Sequence, residues 1–270
     1  MTDASMINRF RAEAALRGLP SQEVEEWIRV ARPAVYLAEG GNGLLVARVG
    51  GDPLLPHGAP RPSDPFVASV DLAALRPGVT GLPLPADGHL LLCSGTDVSG
   101  IGGEVPTRCC TSPPGPRQPL APSHTVGANR TGRASSARSG TSRAHRCRRA
   151  SPSAGGEFPE DEQFELADEL ADAWAHVGGY RPSWALQIGG HPVSPQNDPV
   201  HYARGPEEAG HAGQGGTAHG EGADDWVLLA TWRCGDDVTE LDSGVAHWVI
   251  RRRDVAVRRF DRAHRYVEMA

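Results

Sequence analysis

The sequence contains no lysine; all 27 of its basic side chains are arginine. Lysine codons are AT-rich and arginine codons can be GC-rich, so total replacement reads as codon bias and points to a GC-rich bacterial genome. Whatever its origin, the absence has firm chemical consequences. There is no Walker A lysine for a nucleotide phosphate, no Schiff-base lysine for pyridoxal phosphate or an aldolase, and no Ser–Lys dyad. Cysteine is sparse as well, with five residues at 93, 109, 110, 147 and 234. An odd count without a CxxC pair argues for reduced thiols in the cytosol.

Long apolar runs are also missing. The first eighteen residues, MTDASMINRFRAEAALRG, mix charges and hold no apolar stretch of the kind a secretory signal needs. Apolar runs such as Leu90–Cys93 fall far short of the ~18–20 residues of a membrane span. A cytoplasmic protein with no membrane association is the expectation. Hydrophobic residues make up 39% of the chain, below the ~45–50% usual for globular domains. With 33 glycines and 23 prolines among 270 residues, a core can form, but part of the chain is expected to lie outside it.

Periodicity supplies the elements. Residues 4–17 place Ile7, Phe10 and Ala14 on one helical stripe, and Pro20–Ser21 open a second helix carrying Val24, Trp27, Ile28 and Val30. Strands are expected over 34–38 and 44–49, joined as a hairpin through the Gly-Gly-Asn-Gly turn at 40–43. Phe66–Val70 reads as a strand, Asp71 as the N-cap of a short helical turn over 72–75, and His89–Ser94 as an apolar strand. Residues 158–176 form the clearest helix, with Phe164, Ala167, Leu170, Ala171 and Trp174 on one face and acids opposite. Strands follow at 184–188, 226–232, 245–250 and 264–269, with Asp254 in a short helical turn. Trp226, Trp232 and Trp248 lie on strands and read as core. The elements follow no βαβ period. The expected class is therefore α+β, a mixed, largely antiparallel sheet with flanking helices and an N-terminal helical pair.

The middle of the chain stands apart. Between Glu104 and Glu157 there is no acidic and no aromatic residue, but nine arginines, eight serines, seven prolines and three of the five cysteines. The 33 acids of the remaining sequence face only 18 arginines, a net charge of −15. Three readings fit this composition: a basic disordered linker, an arginine-rich arm, or a stretch translated out of frame between two compensating shifts. The frame reading has a specific basis. Read from the third base of each codon, Cys109–Cys110 must yield leucine followed by Tyr or His, and GC-rich codons can continue as a strand and turn. One α+β domain is expected, its halves at 1–104 and 156–270, with 105–155 as an irregular basic excursion that leaves a gap or bare edge in the sheet.

With the middle set aside, the flanks resemble the YwqG-like family of uncharacterised bacterial proteins. The residues that carry the resemblance are GGDPLLP at 50–56, DPFVASVDLAAL at 64–75, LPADGHLLL at 84–92, LQIGGHPVSPQNDP at 186–199, and WVLLATWRCGDD at 226–237 with HWVIRRRDVAVRRFDR at 247–262. The Gln187–Pro199 stretch is the most specific. The resemblance implies an α+β fold with an extensive sheet and carries no catalytic residues or cofactor with it.

The candidate site is the loop at 187–201, with Gln187, His191, Gln196, Asn197, Asp198 and His201. Its two glycines would let backbone approach a ligand closely. The plainer alternative is a turn in which Asn197 and Asp198 cap local backbone before Pro199. His201, His211 and His219 with Glu207, Glu208, Glu221 and Asp224 have spacings too loose for a metal frame and read as a solvated acidic loop. Gly95–Gly103 lacks the lysine and the following helix of a phosphate loop. Cys93 reads as core, and acids near Cys234 would blunt its reactivity. Arg251–Arg253 is expected to pair with the acids at 236, 237, 240 and 242. Scattered Ser, His and Asp without a GxSxG elbow carry no hydrolase signal.

No cofactor, metal or nucleic acid is expected. The functional expectation is a non-catalytic interaction protein of binding or immunity type, with an acidic body suited to a basic protein partner. The alternatives are a small-ligand binder or enzyme using the 187–201 loop, and a frame-disrupted product without function.

Overall fold

The computed structural model describes residues 4–39, 44–56, 62, 64–95, 110–112, 117–119, 130–134, 140–142, 160–179, 184–194, 198–200, 202–203, 225–234 and 244–268. The chain opens on two helices, α1 (Ala4–Leu16) and α2 (Ser21–Val30). Helix α1 stops at Gly18, whose φ of 71° lets Leu19 N–H reach back to the Ala14 carbonyl at 2.9 Å, a glycine-terminated helix end. Pro20 is the N-cap of α2. Met6, Phe10 and Ala14 of α1 and Val24 and Trp27 of α2 are buried against Leu170, Ala171 and Trp174 of α3 (Glu160–Trp174). The Phe10 and Trp174 rings meet edge to face at 4.8 Å, so the three helices form a small core of their own.

The strands are β1 (Arg32–Glu39), β2 (Leu45–Val49), β3 (Leu54–Pro56), β4 (Phe66–Asp71), β5 (His89–Cys93), β6 (Cys110–Ser112), β7 (Arg117–Pro119), β8 (Arg130–Ala134), β9 (Gly140–Ser142), β10 (Leu186–Gly189), β11 (Trp226–Arg233), β12 (Val245–Arg251) and β13 (His264–Glu268). Eleven of them make one sheet in the order β13-β12-β11-β10-β1-β8-β2-β4-β5-β6, with β9 also on β1; β3 and β7 form a separate pair. Every pairing among the described residues is antiparallel. The class is α+β with an N-terminal helical pair.

Two expectations are corrected. β1 and β2 do not pair as a hairpin, because β8 lies between them, bonded to Leu37–Glu39 on one side and Leu45–Val49 on the other. The basic middle stretch therefore contributes strands, and the expected gap in the sheet is filled. Backbone ladders are indifferent to side-chain type, and the slot between β1 and β2 offers unpaired N–H and C=O groups on both flanks. The other residues of the stretch lie outside the described set, and with them the expectation of irregularity there.

One large apolar cluster spans both arms of the sheet, from Val67, Leu90 and Leu92 to Leu229, Trp232, Trp248 and Ile250. The arms curl toward each other around it. Trp248 Nε1 on β12 donates to the Cys93 carbonyl at 3.2 Å, and Arg265 on β13 donates to Ser94 Oγ and the Gly95 carbonyl at 3.2 and 2.9 Å. The short helix α4 (Arg252–Ala256) and a 3-10 turn at Phe260–Arg262 close the core with Val255 and Phe260. After β4, Asp71 caps a 3-10 turn, its carboxylate accepting the Ala73 N–H at 3.0 Å, as expected.

Candidate functional site

The candidate loop begins on β10, where Gln187 is fully buried. The strand ends at Gly189 and Gly190, with φ of 71° and 79°, and the reversal brings the following carbonyls back over the Gln187 amide. Gln187 Nε2 donates to the Gly189 and His191 carbonyls at 2.8 and 2.7 Å. The close approach at Gly189 is to the chain itself: a Cβ there would sit 2.7 Å from the Thr80 carbonyl oxygen and 3.2 Å from that of Pro33.

The half-buried His191 reaches across to α2, its Nε2 donating to the Val30 carbonyl at 2.7 Å. That oxygen belongs to the last turn of α2, whose carbonyls have no intrahelical partner. Burial pushes the imidazole pKa down to about 4, helped by the charge of Arg32 and opposed by the Val30 hydrogen bond and by Asp198. Asp198 acts locally, its Oδ1 accepting the Val200 N–H at 2.9 Å and its carbonyl accepting the Tyr202 N–H at 3.2 Å. It starts a helical turn at Pro199, the position where proline is best tolerated. Gln196, Asn197 and His201 lie outside the described residues, as do His211 and His219. Gln187, His191 and Asp198 thus each direct a polar group at nearby backbone.

The turn that Asp198 starts has a definite resting place. Val200 and Ala203 pack on Trp226, Leu228 and Val249, and Tyr202 stacks on Tyr266 at 5.1 Å and 12°. They lie on the face of the sheet turned away from the large core. Tyr36, Gln187, Thr231, His247 and Tyr266 are successive cross-strand partners from β1 to β13, which sets all five on that face. Thr231 and His247 are fully buried, and Glu268 is 3% exposed. Thr231 Oγ1 lies 2.9 Å from His247 Nδ1, and Glu268 Oε1 lies 3.1 Å from Nε2. With the ring proton on Nε2, the imidazole donates to the carboxylate and accepts from the hydroxyl, satisfying both ring nitrogens.

Sequence reading missed this hydroxyl–imidazole–carboxylate row. Its signal was present: Thr231 and His247 interrupt the otherwise apolar strands WVLLATWR and VAHWVIR, and a polar side chain in such a strand must find a buried partner. Full burial keeps the Thr231 hydroxyl away from any substrate in this arrangement. What the row does is fix the register of β11, β12 and β13.

Elsewhere Cys93 and Cys234 are buried, as are Trp226, Trp232 and Trp248. The acids at 236, 237, 240 and 242 that the arginine run at 251–253 is expected to meet lie outside the described residues. Arg251 lies over the Trp226 ring at 4.7 Å, Arg252 donates to the Gly81 carbonyl at 2.8 Å, and Arg253 lies 3.6 Å from Asp225. Among the described residues no helix is long and apolar enough to cross a membrane, and no three His, Cys, Asp or Glu side chains are placed to hold a metal ion.

No curated protein matches the chain. Residues 47–267, from within β2 to within β13, match the family described as a domain of unknown function (DUF1963), and the chain belongs to that family.

Proposed function

We propose that this chain is a cytosolic interaction protein of the YwqG-like kind, which binds a basic protein partner as an immunity-type inhibitor does. The observation that carries the reading is the outer stripe of α3. Glu165, Asp168, Glu169 and Asp172 are exposed at helical spacings of three and four, and the last turn holds no basic residue. Like charges at these spacings cost about 0.2–0.5 kcal/mol per pair in a helix. Burial of Leu170, Ala171 and Trp174 on the opposite face offsets that cost. The chain's net charge of −6 adds a field of the same sign, which speeds encounter with a cation-rich surface. The test is affinity capture at low and high salt, with wild type beside a Glu165→Arg/Glu169→Arg variant. A partner held by wild type at low salt, released by added salt and lost in the variant supports the reading. Equal capture by both proteins counts against it.

A further inference from the structure

The strand period gathers three residues that the sequence leaves scattered. Ser69 and Asp71 lie two apart on β4 and so share a face, and His89 on β5 is the direct cross-strand partner of Asp71. Ser69 Oγ lies 3.3 Å from His89 Nδ1, and Asp71 Oδ1 lies 3.9 Å from His89 Nε2. The hydroxyl and the carboxylate thus flank one imidazole from opposite sides. Unlike the Thr231 row, this cluster reaches solvent, with side-chain exposures of 22% for His89 and 41% for Asp71. Arg48 on β2 is the direct partner of Ser69, which places a guanidinium on the same face. Leu91, the partner of Ser69 on the other side, belongs to a small apolar cluster with Leu55, Phe66 and Cys93.

We propose that Ser69 is a nucleophile, that His89 is its general base, and that the cluster turns over small activated acyl esters. The Asp71 carboxylate, 3.9 Å from Nε2 and accepting the Ala73 N–H through Oδ1, acts on the ring by its charge, and the reactive tautomer is the one that turns the Nδ1 lone pair toward the Ser69 hydroxyl. Relative to the familiar serine triad, the roles of the two ring nitrogens are exchanged. Ser69 Oγ attacks the carbonyl carbon, and its proton passes to His89 Nδ1. The resulting imidazolium faces the Asp71 carboxylate, and the oxyanion faces the Arg48 side of the cluster. Collapse expels the alcohol, which takes the proton from His89. Water then attacks the acyl-serine with the same proton transfers, releasing the acid and restoring the hydroxyl. No metal or redox partner enters the balance.

The proposal is independent of partner binding by α3, and the two fail separately. The test uses the full chain with a fluorophosphonate probe, followed by peptide mapping. The expected result is a phosphonyl adduct on Ser69, formed about a hundredfold more slowly in His89→Gln, as loss of a general base predicts. Asp71→Asn is expected to move the pH midpoint of labelling while leaving the circular dichroism spectrum unchanged. Hydrolysis of p-nitrophenyl acetate should fall in parallel with labelling. Mapping on the wild-type chain guards against variants that fail to fold. An unmodified Ser69 in wild type, or a labelling rate unchanged in His89→Gln, overturns the proposal.

Discussion

Gly189 lies against Thr80 so closely that a Cβ on the glycine would meet the Thr80 carbonyl oxygen at 2.7 Å. Its φ of 71° adds a second penalty for any other residue. Gly189→Ala should therefore destabilise the protein by about 2–4 kcal/mol. Gly18, also at φ 71° but with nothing within 4 Å, is the control. Gly18→Ala should cost only about 1 kcal/mol, the price of the left-handed backbone. Urea unfolding of the two variants checks the difference, and equal losses would show that the Thr80 contact is not limiting.

The Thr231–His247–Glu268 row predicts a strongly non-additive pair. His247→Leu strands a buried carboxylate and should cost about 3–5 kcal/mol, whereas removing both partners in His247→Leu/Glu268→Leu should recover much of that loss. The measurement is a double-mutant cycle by urea unfolding. A double variant as unstable as the sum of the singles would deny the coupling.

Most elements could be read from the sequence because each carries its own period. α1, α2, β4, β5, β11 and β12 lie within two or three residues of the expected spans, since alternation and apolar runs are local signals. The hairpin between β1 and β2 was misread for the complementary reason. Turn chemistry can nominate a neighbour, but pairing is decided by whichever strand satisfies both open edges, here β8. β8 itself, with Arg-Thr-Gly-Arg-Ala, has no apolar period to betray it. At the candidate loop, the need for glycine was legible and its cause was not. Nothing local in QIGGHP says that the approaching atom is Thr80 of the same chain rather than a ligand.

The placement of β8 can be tested by hydrogen exchange. Its amides face ladders on both sides, from Glu39 to Val49, so those of Thr131–Arg133 should be protected to nearly the depth of β1. Amides of β6, at the end of the strand order, should exchange sooner. Fast exchange throughout 130–134 would argue instead that the stretch is foreign to the sheet. In that case the coding sequence should show GC-rich third positions in the shifted frame across 105–155, as the frame-disrupted reading requires.

The His191 imidazole predicts how stability depends on pH. Its pKa is near 4 in the folded chain against an ordinary 6.5, mainly because of burial. Above pH 6.5 the ring is neutral in both states and folding has no proton to exclude. As pH falls below 6.5 the unfolded chain takes up a proton that the folded chain refuses until about pH 4. Stability is therefore full above the unfolded value and drains away between the two, by about 1–2 kcal/mol at pH 5. Carboxylates elsewhere in the fold that are held below their ordinary range, such as Glu25 beside Arg11 and Asp261 beside Arg259, act at lower pH than this window. His191→Gln keeps a donor for the Val30 carbonyl without a titrating group. The melting temperature of the variant should thus fall less than that of wild type between pH 7 and pH 5. Parallel melting curves across that interval would place the acid sensitivity elsewhere in the fold.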